Sequence, residues 1–259
     1  MMISTITRNK KQKNKKIKLW TIGFWVIAWQ IAAMALDKEI LLASPLSVGR
    51  CLLSLVQTTA FWGTVWFSFQ RILCGFFMAV ILGVLFSACA RKCKWFGELL
   101  NLPVAILKAT PVASFIVLVL IWMPSRNLSV LISFIMAFPV IYTNLQEGFE
   151  NLDKKLLEAA KIFRMGFLKK AYFVYFAGLL PYLRSACAIA IGMCWKAGIA
   201  AEIIGIPNGS IGECLYHAKI YLQTPDLFAW TFVIIAVSIL FEKIVQLFLA
   251  LIAYKLGTV

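Results

Sequence analysis

The chain has 259 residues, 62% of them hydrophobic and 14% charged, whereas a soluble domain carries roughly 45–50% apolar and about 25% charged residues. This excludes an ordinary soluble globule and predicts an all-α integral membrane bundle, since lipid offers no partner for open backbone groups and strand-like alternation is absent. The net charge of +15 does not indicate nucleic acid, because the basic residues cluster at the ends of apolar runs rather than along one polar face with interleaved aromatics.

Residues 1–18 contain Arg8, Lys10, Lys11, Lys13, Lys15, Lys16 and Lys18 and no acid. The apolar run Leu19 to Leu36 follows. Ala33-Met34-Ala35 has the small-x-small pattern of a signal cleavage site, but 18 residues exceed the roughly 7–15 of a signal core and suffice to span. The expectation is a retained first helix with a cytoplasmic N-terminus. A second span is predicted over roughly Phe61 to Ala90, ending on Arg91, Lys92 and Lys94, and a third over Leu99 to Met123, punctuated by Pro103 and Pro111. A fourth covers about Leu128 to Gln146, a fifth Tyr182 to Ile204 and a sixth Asp226 to Leu251, so that the C-terminus also lies in the cytoplasm.

Charge supports this count. With the N-terminus inside, the outer segments 37–60, 124–127 and 205–225 hold only Lys38, Arg50, Arg126 and Lys219. The remaining basic residues fall mostly on the inner side, as the positive-inside rule requires. No repeat or composition shift marks a second domain, so one membrane domain, 19–259, follows the basic segment 1–18.

The stretch Lys154 to Lys170 packs six basic residues and one acid into seventeen positions between long apolar runs. Leu152, Leu156, Ala160, Phe163 and Phe167 recur at helical spacing, while Lys154, Glu158 and Lys161 share another side. This predicts an amphipathic helix over about 151–168, with Asn151 as N-cap and Gly166 as stop. Lipid headgroups, the rest of the chain or a partner protein could cover its stripe.

Residue identity narrows those choices. Glu158-Ala159-Ala160, a following glycine at Gly166 and Leu180-Pro181 resemble the E-A-A…G…L-P motif of permease subunits of binding-protein-dependent ABC importers. "LLASPLSV" (41–48), "SFQRILCGF" (68–76) and "AAEIIG" (200–205) are similar to the L-P-S-P, S-x-x-R-x-x-x-G-F and A-E-x-x-G segments of the nitrate/sulfonate/taurine-type branch. In that family the motif glycine stands six residues after the glutamate, where this chain has Arg164; Ala43 replaces a frequent proline.

The resemblance implies a type I importer permease of about six spans. Its coupling helix would seat in a cytoplasmic ATPase through Glu158, Ala159, Ala160, Phe163, Gly166, Leu180 and Pro181. It further implies a permease homodimer, two ATPase copies that bind ATP and Mg, and an extracytoplasmic substrate-binding protein delivering a small anionic solute. The chain itself carries no G-x-x-x-x-G-K-[ST] phosphate loop, so it is read as a non-catalytic transport subunit.

Four ionisable residues inside predicted spans stand out: Arg71, Lys108, Lys196 and Glu202. Such groups are costly in lipid and face a bundle interior or a watery path. Three cations and one anion would favour a path for an anion, or they pair with one another and fix helix contacts. Lys108 precedes Thr110-Pro111, where the proline opens the helix. Seven scattered cysteines without a C-x-x-C pair and a lone His217 read as packing and surface residues, with no metal site. An ion-coupled secondary transporter is the main alternative; an intramembrane enzyme is less well supported, with neither H-E-x-x-H nor G-x-S-x-G in the sequence.

Overall fold

The apolar lengths set the architecture directly. The computed structural model describes residues 19–36 and 38–255, and every regular element among them is helical: α1 (Leu19–Leu36), α2 (Pro45–Val56), α3 (Thr59–Lys92), α4 (Lys94–Ala109), α5 (Val112–Leu120), α6 (Ser125–Glu150), α7 (Lys154–Ile162), α8 (Phe167–Lys170), a π-helical segment (Ala171–Phe176), α9 (Ala177–Gly205), α10 (Ile211–Ile220) and α11 (Thr224–Lys255). The expected basic segment 1–18 and the last four residues lie outside the described residues.

Four unbroken helices are long and apolar enough to cross a membrane: Thr59–Lys92, Ser125–Glu150, Leu168–Gly205 and Thr224–Tyr254. The pair α4 and α5 makes a fifth if it counts as one span. With 18 residues, α1 falls at the short end of the roughly 17–25 that span; the described residues thus hold four or five clear spans against the expected six.

The structure corrects two of the predicted spans. The third span is two helices bent by 103°, because Thr110 and Pro111 take extended backbone and the proline has no N–H to continue the ladder. Pro103 stays inside α4 without breaking it. The fifth span begins far earlier than Tyr182, since helix runs through Phe167 and the π-helical turn into α9.

Buried positions on α3 (Phe61, Ser68, Ile72, Gly75, Phe76, Ala79, Gly83, Ser87, Ala90) fall three or four residues apart over most of the helix, so one stripe packs inward and the rest is left for lipid. That stripe meets α6, which also packs most extensively on α9. Of the best apolar window, 67% is buried in α6 but 17% in α11; α6 is therefore the central helix and α11 peripheral. Lipid gives no hydrophobic drive between spans, so contact depends on small residues that admit a neighbour. A Cβ on Gly75 would meet the Val130 carbonyl oxygen at 2.3 Å, and one on Gly198 would meet Ile72 and Ser133 at 2.7 Å. Ser133 and Cys194 lock α6 to α9 reciprocally: each side chain donates to the other's carbonyl at 3.3 Å.

On the periphery, α11 lies against α9, α2 and α10, and Trp29 of α1 packs on Phe228 and Phe232 of α11 at 5.4 and 5.9 Å between ring centres.

Candidate coupling site and intramembrane charges

The charged island folds as a short helix rather than the predicted 151–168. Asn151 ends α6, its backbone and side-chain N–H groups both donating to the Glu147 carbonyl at 3.0 Å. Asp153 is the true N-cap of α7, accepting from the Lys155 N–H at 2.9 Å, as a short acid at this position does.

At the other end, Arg164 adopts φ 45°, the left-handed conformation that normally favours glycine. Its N–H donates to Lys161 and that of Met165 to Ala160, both at 3.0 Å, which is the pairing of a Schellman turn. Arg164 therefore takes the backbone role of the family's glycine, and Gly166 is not the stop residue. Its φ is not positive, and an added Cβ there would meet open space.

The predicted apolar stripe divides in two. Leu152 and Ala160 are buried, and the Leu152 side chain lies where a Cβ on Gly178 would stand. By contrast, Leu156, Ile162 and Phe163 are uncovered, Phe163 to 79%. Glu158 is exposed beside half-buried Ala159. Leu180 is wholly buried in the core, whereas Pro181 is exposed on an early turn of α9. Thus Glu158, Ala159 and Phe163 share a free face, while Ala160 and Leu180 anchor the segment to its own chain.

The intramembrane residues separate into a buried node and two open cations. Glu202 is fully buried. Its Oε2 accepts from the Ser68 hydroxyl at 2.6 Å and from the Gly212 N–H at 3.4 Å, and the Ser68 oxygen accepts from the Ile211 N–H at 2.9 Å. One carboxylate thereby ties α9 to α3 and to the N-terminus of α10, where helix N–H groups favour negative charge. Gly212 is required there: a Cβ would stand 2.3 Å from that of Glu202.

Arg71 stacks over Phe67 at 4.0 Å and interacts electrostatically with Glu202. Among the described residues, however, no ion pair joins the two. The Arg71 Nη1 and Glu202 Oε1 atoms are buried without hydrogen-bond partners. The node's other members, Ser68 and Gly212, were not singled out as site residues from the sequence. Ser68 was available in the S-x-x-R pattern; Gly212 becomes apparent only once α10 folds back.

Lys108 is exposed in the last turn of α4, and its Nζ donates to the Thr143 hydroxyl on α6 at 3.2 Å. Lys196 is exposed on α9, far from Lys108 in sequence and on a different helix. His217 is a surface residue of α10, 3.8 Å from Glu213. Among the described residues no cluster of histidine, cysteine and carboxylate could hold a metal.

A family model for "binding-protein-dependent transport system inner membrane component" matches residues 71–257, from Arg71 through the coupling segment to the last span. The chain belongs to this family. It is 23% identical over 92% of its length to the putative aliphatic sulfonates transport permease protein SsuC of Bacillus subtilis, covering 88% of that protein. It is 27% identical to the Escherichia coli SsuC over 81% of this chain and 80% of that one. The taurine transport system permease protein TauC of Escherichia coli is 23% identical over 83% and 80% of the two chains. The nitrate import permease protein NrtB of Synechococcus elongatus is 25% identical over 58% and 54%.

The chain is therefore a multi-pass, helical permease subunit of an ABC importer in the nitrate/sulfonate/taurine branch, and not an enzyme. Nucleotide chemistry in such an importer belongs to the partner ATPase, and a substrate-binding protein supplies the solute.

Proposed function

We propose that two copies of this chain form the pathway for a small organic or inorganic anion, and that α7 is the coupling helix through which two cytoplasmic ATPases move it. The observation that carries this reading is the divided stripe of α7. Its own chain covers Leu152 and Ala160 and leaves Leu156, Ile162, Phe163 and Glu158 free. A rigid, capped helix with an uncovered apolar ridge beside one carboxylate suits a protein groove, whose binding energy concentrates on a few buried anchors. In this reading the N-terminal segment 1–18, α7 and the C-terminus face the cytoplasm, and 19–259 forms one membrane domain with α10 on the outside. Lys108, Lys196 and Arg71 lower the barrier to an anion, while Glu202 organises the outer end. The sulfonates, taurine and nitrate named for the relatives are all compatible with a cationic path.

Glu158→Lys tests the docking. Because Glu158 is exposed, permease yield should be unchanged while ATPase co-purification falls at least tenfold. Undiminished co-purification, or uptake driven by an ion gradient with no ATPase present, overturns the reading.

A further inference from the structure

The helix that follows the coupling segment is too long for the membrane it crosses. From Leu168 to Gly205 it runs 38 residues, about 57 Å at 1.5 Å per residue, and about 54 Å at the roughly 20° tilt usual for spans. A bilayer with its headgroups is about 40–45 Å thick, so about 10 Å of helix, roughly seven residues, stands outside it. The overhang is at the Leu168 end. Lys169 and Lys170 stand in the first turn there, whereas residues 197–205 hold no cation.

That overhang carries apolar surface which no acyl chain reaches. Leu168 is exposed to 80% and Phe173 to 57%, and Tyr172 and Phe176 are uncovered beside them. The π-helical turn gathers the rings: Phe173 meets Tyr172 edge-on at 5.1 Å between centres, and Phe176 stacks on Tyr172 at 6.2 Å. Such turns are frequent at functional sites, and clustered exposed apolar side chains mark interaction surfaces where single ones do not. The segment also packs against α7, the helix that leaves Ile162 and Phe163 free.

Charge selects the occupant. From Ala159 to Phe176 the chain has four basic residues, Lys161, Arg164, Lys169 and Lys170, and no acid. Among the described residues none of the four is in an ion pair. In a two-fold contact between copies of this chain the patch would meet itself, cation against cation. Residues 1–18, with seven basic residues and no acid, carry the wrong charge to cover it for the same reason. The surface therefore fits another polypeptide, one with an apolar groove and an acidic rim.

We propose that Leu168, Tyr172, Phe173 and Phe176, flanked by Lys169 and Lys170, form a second anchor for the cytoplasmic ATPase, seated in an acidic-rimmed apolar groove apart from the one that takes α7. The inference rests on the coupling reading of α7 and adds to it a contact outside the Glu158-Ala159-Ala160 segment.

The test places a photo-cross-linker, p-benzoylphenylalanine, at position 173 of the permease–ATPase complex, an aromatic replacement for an exposed ring. The expected adduct joins permease to ATPase. An adduct with phospholipid or with a second permease copy overturns the proposal, and so does the absence of any adduct.

Affinity is measured in parallel by titrating the ATPase that co-purifies with the parent onto permease in nanodiscs of neutral lipid. Tyr172→Ser combined with Phe173→Ser should weaken binding at least tenfold, as should Lys169→Glu combined with Lys170→Glu, and the parent should lose affinity as salt is raised. Parental affinity in either double variant overturns the proposal; if the serine variant fails to insert, the glutamate variant decides alone. Loss of binding in Glu158→Lys with parental binding in the double variants removes the second anchor and keeps α7 as the dock. Parental binding in Glu158→Lys removes the coupling reading itself.

Discussion

The Glu202 end of the bundle and the α7 segment solve opposite problems. Around Glu202, polar groups from α3, α9 and α10 are mostly satisfied by the same chain, and glycines at 75, 198 and 212 let backbones approach to distances that a Cβ would forbid. Around α7, hydrogen bonding is confined to caps, and the large side chains Ile162 and Phe163 contact nothing that covers them. A region closed on itself transmits displacement as a rigid body. A short helix held at one face and bare at the other can receive a push. On the proposed topology the stiff part of the permease lies in the membrane and the receptive part at its inner surface.

The largest effect expected from disturbing this contrast is at Gly75. Gly75→Val would force α3 away from the Val130 carbonyl and the Phe134 backbone; overpacking of this kind costs about 1–3 kcal/mol or more where backbone is the obstacle. Folded yield and thermal aggregation in detergent should both deteriorate strongly, and near-parental values would mean that the α3–α6 contact is looser than described.

A second prediction compares cysteines at the two ends. Cys51 donates to Asp226 on α11. Burial first, then that hydrogen bond and the Asp226 charge, push its thiol up to about 12. The thiolate is the reactive form, so at pH 8 only about 10⁻⁴ of Cys51 is available, and its labelling should increase as pH rises toward 12. Cys93 is exposed in the turn between α3 and α4. An impermeant maleimide should modify Cys93 at least tenfold faster, and only from the cytoplasmic side. Modification of Cys93 from outside would invert the topology.

The smallest effect lies in the turn after α7. A non-glycine residue in the left-handed region costs about 1–2 kcal/mol, partly offset by the roughly 0.5–1 kcal/mol that glycine loses in backbone entropy. Arg164→Gly should therefore stabilise the segment by about 0.5–1 kcal/mol, seen as slower amide exchange in α7. Faster exchange would show that the arginine side chain itself supports the turn.

The sequence reading came closest where long-range information was unnecessary. Spans about seven to ten turns long announce themselves by apolar length, and the places where lysine and arginine collect supply the orientation expected of them. The break at Pro111 was also predictable, since a missing N–H is a property of one residue. The cap of α7 was placed at Asn151 rather than Asp153, because both residues can cap and only the path of α6 decides which one is free to do so.

What the sequence alone determined is the class of molecule, a helical membrane permease with a charged island between its apolar spans, because hydropathy and charge act residue by residue. Only the tertiary structure decided that Glu202, Ser68 and Gly212 form one node, that half of the α7 stripe is already covered, and that Arg164 replaces a glycine. Those outcomes depend on which surfaces meet, and in lipid that is set by close packing between helices distant in sequence, which no local pattern records.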